Sequence, residues 1–96
     1  MESQNQMIRA HITIHGLVQG VFFRSETQKQ AQKLSVTGFV ANNSDGTVSV
    51  VAEGPANLVH TLADWCQSGP STAQVQKVDV EEHTYTGEFE GFEIRY

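Results

Sequence analysis

The chain has 96 residues, of which 39% are hydrophobic, and its formal net charge is −5. This length supports one domain with a single core, and the negative charge argues against nucleic acid or an anionic membrane as a partner. The single cysteine, Cys66, excludes an intramolecular disulfide and a multi-cysteine metal site. Because no apolar signal segment or bilayer-spanning stretch is present, the sequence predicts a cytoplasmic protein.

The first half of the chain predicts a strand followed by a helix. Residues 1–6 are polar and predict a flexible terminus, ahead of one domain covering 7–96. Apolar and polar residues alternate from Ile8 to Ile14, which is typical of a strand with one buried face. After a loop, apolar residues recur at the spacing of a helix. These residues are Phe23, Thr27, Ala31 and Leu34.

A hairpin and a second helix follow. Residues 36–42 and 47–53 predict two strands joined by the turn signal Asn43-Ser44-Asp45-Gly46. Alternation places Glu53 on the outward face of the second of these strands. Pro55 is predicted at the first position of the second helix, where no backbone N–H is needed. The apolar face of that helix comprises Leu58, Val59, Leu62, Trp65 and Cys66.

The remaining chain predicts two more strands. The first lies within residues 73–84, and its inward parity changes between Val75 and Val78, which indicates a β-bulge. Residues 85–88 predict a turn, and residues 89–96 a short last strand. With right-handed crossovers, this order gives an α+β fold, a ferredoxin-like βαββαβ sandwich. It has an antiparallel sheet with two helices on one face and water on the other.

The loop between the first strand and the first helix predicts an anion site. Gly16 and Gly20 allow the backbone to curl through positive φ. A curled loop that leads into a helix directs several amides toward one point, which favours a bound anion. Arg24 follows, with a guanidinium that suits a phosphate. Since the first two strands run parallel, Asn42 is expected at the same edge of the sheet.

Two long motifs and several shorter pieces resemble the acylphosphatases. They are residues 16–24 (GLVQGVFFR), residues 38–40 with Asn42, residues 45–48, residues 53–54 and residues 94–96. The resemblance extends from about residue 7 to the last residue. It implies a ferredoxin-like fold and hydrolysis of acyl phosphates to carboxylate and inorganic phosphate, without metal or cofactor. It also implies that Arg24 and Asn42 form the catalytic pair. Ala41 departs from the family, whose members usually carry a basic residue there, and is expected to affect substrate affinity.

The residue chemistry agrees with the implied reaction. The carboxylate of an acyl phosphate is already a good leaving group, so positioning and charge stabilisation suffice. Arg24 and the loop amides are expected to hold the phosphoryl oxygens, with inorganic phosphate or sulfate as competing anions. Asn42 is not basic, but its carboxamide can orient a water. The amides expected to form the phosphate-binding loop belong to Gln19, Gly20, Val21, Phe22 and Phe23.

Other interpretations remain open at this stage. A non-catalytic domain that binds an anion would use the same loop, and an RNA-binding sheet would need exposed aromatic residues and a basic surface. His11 and His15 lie about 13 Å apart along the strand, too far to chelate one ion. Cys66 is expected to be a packed thiol and Asp45 a turn residue. The protein is expected to be a monomer, with its terminal carboxylate near Arg24.

Overall fold

Five strands and two helices make up residues 6–96, the part of the chain that the computed structural model describes. The predicted flexibility of residues 1–6 therefore falls mainly outside the described residues. The strands are β1 (Met7–Leu17), β2 (Thr37–Asn42), β3 (Val48–Pro55), β4 (Gln74–Thr84) and β5 (Phe92–Arg95). The helices are α1 (Phe23–Lys33) and α2 (Ala56–Cys66), and neither is long and apolar enough to cross a membrane.

The sheet confirms the predicted ferredoxin-like α+β fold. Its strands lie in the spatial order β4-β1-β3-β2-β5. The first four pair antiparallel, as predicted, whereas β5 pairs parallel with β2. Because β1 and β2 are both antiparallel to β3, they run in the same direction. The ends of these two strands therefore lie at the same edge of the sheet, as the chain order predicts.

The core lies between the sheet and the two helices. Alternate residues of β1 and β3 that were predicted to point inward are buried, namely Ala10, Ile12, Ile14, Val48, Val50 and Ala52. They form one cluster with buried residues of the helices, which include Phe23, Ala31, Val59, Leu62 and Cys66. Period-two burial in the strands and helical spacing in α1 and α2 thus bury one face of each element.

Three local details differ from the sequence predictions or sharpen them. The register between β1 and β4 shifts after His15, which leaves Gln76 without a partner and confirms the predicted bulge. Gly16 lies inside β1 at this shift, not in the loop, and a Cβ there would collide with the Gln74 carbonyl. Pro55 ends β3 and is the residue before α2, so it is not the first helical residue.

The predicted turn at residues 85–88 is wrong. Strands β4 and β5 occupy opposite edges of the sheet, so the chain between them must cross the whole face that lies away from the helices. This segment, residues 85–91, is called the strap here. The Phe89 ring lies 5.9 Å from the Phe39 ring, and the Arg9 guanidinium lies 5.3 Å from the Phe89 ring. The strap therefore covers part of the face that was predicted to be in water.

The strap also buries Glu53, which was predicted to point into solvent. Glu53 is 1% exposed. Its carboxylate accepts hydrogen bonds from the Thr86 amide and hydroxyl at 2.9 and 2.7 Å and from the Gly87 amide at 3.0 Å. Arg9, its register partner on β1, donates at 3.3 Å. This network fastens the strap to the middle of the sheet.

Candidate active site

A cavity of about 290 Å³ lies where β1 leads into α1 and β2 ends. It collects residues from three parts of the chain: the β1–α1 loop with the first turn of α1, the end of β2, and the C-terminal segment. The lining residues are Val18, Gly20, Phe22, Phe23, Arg24, Ser25, Asn42, Ile94 and Tyr96. Arg24 lies in the first turn of α1 and Asn42 at the end of β2. The two residues that were predicted to meet thus share one cavity.

The β1–α1 loop (residues 18–22) curls through two left-handed residues. Gly20 has a φ of 74° and Phe22 a φ of 67°, and Phe22 is the residue before α1. A bulky residue in this conformation is strained. Phe22 is 70% exposed and lines the cavity. Among the described residues, no carbonyl or side chain accepts a hydrogen bond from the amides of residues 19–25. These donors at a helix N-terminus are available to an anion.

Anchors on both sides hold this loop in place. The Thr72 hydroxyl donates a hydrogen bond to the Val21 carbonyl. Phe23 is buried, with its ring 5.6 Å from that of Trp65. Gly69 lies so close to the Phe23 ring that a Cβ there would collide with it. The curled conformation is therefore fixed by packing against the segment that follows α2.

Gln19 connects the loop to the β2–β3 turn (residues 43–47). Its Nε2 donates to the carbonyls of Asn43 at 2.7 Å and Thr47 at 2.9 Å. Sequence reasoning expected only the backbone amide of Gln19 to matter and missed this side-chain role. Neither Gln19 nor Val21 lines the cavity, whereas Gly20, Phe22 and Phe23 do.

The turn that follows Asn42 has a dense hydrogen-bond network of its own. The Asp45 carboxylate accepts from the Thr47 hydroxyl at 2.6 Å and amide at 3.0 Å. These hydrogen bonds, the one from the hydroxyl first, lower the pKa of Asp45 below its usual value. Asn43 donates to the hydroxyls of Thr47 and Ser49. Asp45 is thus a turn residue, as predicted, and the turn holds the end of β2 firmly.

Arg24 is positioned by the last two residues of the chain. Its Nη1 donates to the Arg95 carbonyl at 3.4 Å, and its guanidinium carbon lies 4.7 Å from the centre of the Tyr96 ring. The sequence predicted that the terminal carboxylate would lie near Arg24. Among the described residues, Arg24 forms no ion pair. The C-terminal segment therefore contacts Arg24 through a carbonyl and an aromatic face.

Ala41 lies outside the cavity. Side chains alternate along β2, so Ala41 shares a face with Phe39, whereas Asn42 shares the opposite face with buried Val40. Arg95 is the register partner of Ala41 on β5, and its guanidinium lies over the Phe39 ring at 3.8 Å. Ala41 is therefore on the strap side of the sheet.

Three lining residues were missed as site residues. Val18 and Ile94 point into the core side of the sheet, as alternate residues of β1 and β5 do. Ser25, the residue after Arg24, donates a hydrogen bond from its hydroxyl to the Phe22 carbonyl. Their residue types are ordinary core and helix-start types, so only the topology places them at the cavity. Tyr96, whose terminal carboxylate was expected near Arg24, lines the cavity while being 98% exposed.

The remaining reactive side chains lie elsewhere. Cys66 is fully buried, and burial raises the pKa of its thiol to about 12, which fits a packed thiol. His11 is half-buried, and burial first, then the charges of His83 and Arg9, lowers its pKa. His15 pairs with Asp79 at 3.0 Å. Within residues 6–96, no three His, Cys, Asp or Glu side chains are arranged to hold a metal ion.

Fold and cavity together define a small α+β sandwich whose sheet edge brings loop amides, one arginine and one carboxamide together. The Acylphosphatase family model matches residues 10–94. An acylphosphatase of Pelotomaculum thermopropionicum is 52% identical over 88 residues, which is 92% of this chain and 96% of that protein.

Solved structures agree with this match. An acylphosphatase from Coxiella burnetii has a TM-score of 0.88 at 38% identity, covering 93% of both chains. One from Bacillus subtilis has a TM-score of 0.89 at 32% identity, covering 93% of this chain and 99% of its own. The chain therefore belongs to the acylphosphatase family, which confirms the predicted enzyme class, a hydrolase of acyl phosphates.

Proposed function

We propose that this cavity hydrolyses acyl phosphates, with the phosphoryl group held by Arg24 and the amides of residues 19–23 and the attacking water oriented by Asn42. The observation that carries the proposal is the shared cavity. It brings together Arg24, the loop residues Gly20, Phe22 and Phe23, and the Asn42 carboxamide. Within residues 6–96, the guanidinium has no carboxylate partner and the loop amides have no carbonyl acceptor. An oxyanion needs the first two, and a water needs the third.

The reaction requires one bond to form and one to break at phosphorus. The water oxygen attacks in line, the bond from phosphorus to the acyl oxygen breaks, and the carboxylate leaves with the electron pair. One proton of the water passes to a phosphoryl oxygen, since the Asn42 carboxamide is not basic, and the other stays on the attacking oxygen, so the product is inorganic phosphate. Charge that spreads over the phosphoryl oxygens in the transition state is stabilised by Arg24 and the amides.

This division of roles predicts which variants lose activity. Replacing Arg24 or Asn42 by alanine is expected to lower kcat on the order of 100-fold to 1000-fold, as for other preorganised donors. Lys33→Ala, at the opposite end of α1, and Asn57→Ala, exposed on α2, are matched controls that should keep full activity. Hydrolysis of acetyl phosphate or benzoyl phosphate is the measurement.

Two outcomes would contradict the proposal. Near-full activity of Asn42→Ala would mean that the carboxamide does not orient the water. Binding of inorganic phosphate without turnover of any acyl phosphate would favour the alternative of a non-catalytic domain that binds an anion. Circular dichroism of each variant separates loss of activity from loss of fold.

Independence of metal ions stays a prediction with its own test. The proposed roles use only a guanidinium, amides and a carboxamide, so turnover should be the same before and after treatment with a chelator. A loss of activity that Mg²⁺ or Zn²⁺ restores would contradict it.

The monomeric state and the cytoplasmic location also stay predictions. Sedimentation equilibrium tests the first and cell fractionation tests the second.

A further inference from the structure

We propose that Gln19 is a positioning residue whose side-chain carboxamide sets the distance between the loop that holds the phosphoryl group and the Asn42 that orients the water. This inference rests on the proposed function, because it assigns to Gln19 the task of bringing the two halves of that site together. It concerns the side chain alone, whereas the backbone amide of Gln19 belongs to the phosphate-binding loop.

The inference depends on two hydrogen bonds that the Gln19 side-chain amide donates. Both hydrogens of the Gln19 Nε2 are used, one on the Asn43 carbonyl at 2.7 Å and one on the Thr47 carbonyl at 2.9 Å. The same Thr47 carbonyl accepts from the Asn43 amide at 2.8 Å, the bond that closes the β2–β3 turn. Gln19 therefore grips the turn at the two residues where its ends meet, directly after Asn42.

Within residues 6–96, the Gln19 side chain is the only direct hydrogen-bonded link between the loop and the turn. Between the β1–α1 loop and residues 42–48, these two bonds are the only ones that the described part of the chain forms. The loop is anchored on its far side by Thr72, and the turn is stiffened by Asp45 and Asn43. The sheet brings the two halves near each other, because Ile14 of β1 and Asn42 of β2 both pair with Val48. Beyond those strand ends, the Gln19 side chain joins the loop directly to the turn and fixes their final spacing.

The placement matters for chemistry more than for binding. A phosphate bound by Arg24 and the loop amides contacts only one half of the site. The attack of water depends on both halves, and a displacement of about 1 Å in a reacting group can cost on the order of 100-fold in rate. Loss of the two Gln19 hydrogen bonds, called the Gln19 bridge here, should therefore lower kcat. It should leave KM and the inhibition constant of phosphate nearly unchanged.

The test uses Gln19→Met, which has a similar length without the two N–H donors. We expect kcat for benzoyl phosphate to fall on the order of 10-fold to 100-fold, with KM and the phosphate inhibition constant within about twofold. Gln28→Met is the matched control, because Gln28 donates the same kind of hydrogen bond to the Phe92 carbonyl at 3.0 Å, away from the loop and the turn. It should leave kcat unchanged.

A double-mutant cycle with Asn42→Ala shows whether Gln19 acts through Asn42. If it does, adding Gln19→Met to Asn42→Ala should cost little further activity, so the two losses should not add. Fully additive losses, or an unchanged kcat in Gln19→Met, would overturn the inference and leave the proposed function intact. Full activity of Asn42→Ala alone would instead refute the proposed function. Urea unfolding of Gln19→Met and Gln28→Met checks that both variants are folded.

Discussion

Replacing Glu53 by glutamine is expected to destabilise the protein by about 3 kcal/mol. The two oxygens of the buried carboxylate accept different hydrogen bonds. Oε2 accepts from the Thr86 amide, the Thr86 hydroxyl and Arg9. Oε1 accepts from the Gly87 amide. A carboxamide retains one acceptor oxygen and turns its NH₂ group toward donors that previously had an acceptor. At least one buried donor then loses its partner.

The magnitude follows from these contacts. A buried donor left without an acceptor costs about 1–3 kcal/mol, and breaking a buried ion pair by removing one partner costs about 3–5 kcal/mol. The lower part of the second range applies to Glu53, because Arg9 keeps its 2.7 Å contact with Glu88. Against a typical total stability of about 5–15 kcal/mol, this is a large loss.

The loss should depend on pH with a definite sign. Burial by itself would raise the pKa of Glu53, but hydrogen bonds from Thr86, Gly87 and Arg9 outweigh it, so the pKa lies below its usual value of 4.5. The stabilisation is therefore complete above the pKa of the unfolded chain and is lost as pH falls through the pKa of the folded protein. The difference between wild type and Glu53→Gln should be constant near neutral pH and shrink in acid.

Urea unfolding followed by Trp65 fluorescence at several pH values measures this difference. Glu88→Gln is the control, since it removes the exposed partner of Arg9 and should cost much less. A loss below about 1 kcal/mol for Glu53→Gln, less than one unsatisfied buried donor, would refute the assigned role of the carboxylate. So would a difference between wild type and variant that is as large in acid as at neutral pH.

Three further predictions concern single residues. Because burial raises the pKa of Cys66 to about 12, the thiol should react with a disulfide reagent at pH 8 only after unfolding in urea; rapid reaction of the folded protein would contradict this. Thr72→Val should cost about 1 kcal/mol and lower kcat, because it releases the Val21 carbonyl; unchanged urea unfolding and kcat would argue against that anchor. Gly38→Ala should cost more than about 2 kcal/mol in urea unfolding, because Gly38 has a φ of 139° and a Cβ there would collide with the Val51 carbonyl; a smaller loss would mean that the strands separate easily.

Sequence reasoning succeeded where local patterns and topology agree. Alternation located β1, the turn signal located the β2–β3 turn, and the order of elements gave the sandwich. The shared edge of Arg24 and Asn42 followed from topology alone, because two strands joined by a crossover helix run parallel. These predictions needed only periodicity, turn chemistry and the handedness of the connection.

The strap could not be predicted in the same way. Residues 85–91 contain Gly87 and polar neighbours, which is the composition of a turn. Their path is set by the position of β5 at the far edge of the sheet, a tertiary fact that no local pattern contains. Burial of Glu53 is a consequence of that path, since alternation alone places this carboxylate on the solvent face. The Gln19 bridge escaped prediction for the same reason, because its acceptors are carbonyls brought close only by the fold.

The negative charge of the chain and an anionic substrate are compatible because the ion pairs are distributed unevenly. Of the three arginines, Arg9 pairs with Glu53 and Glu88, and Arg95 pairs with Glu93, whereas Arg24 forms no ion pair within the described residues. Exposed charges farther away than about 8 Å are largely screened at physiological salt. Among the residues that line the cavity, only Arg24 has a charged side chain. The net charge of −5 is a property of the whole chain and is therefore no guide to the charge that lines this cavity.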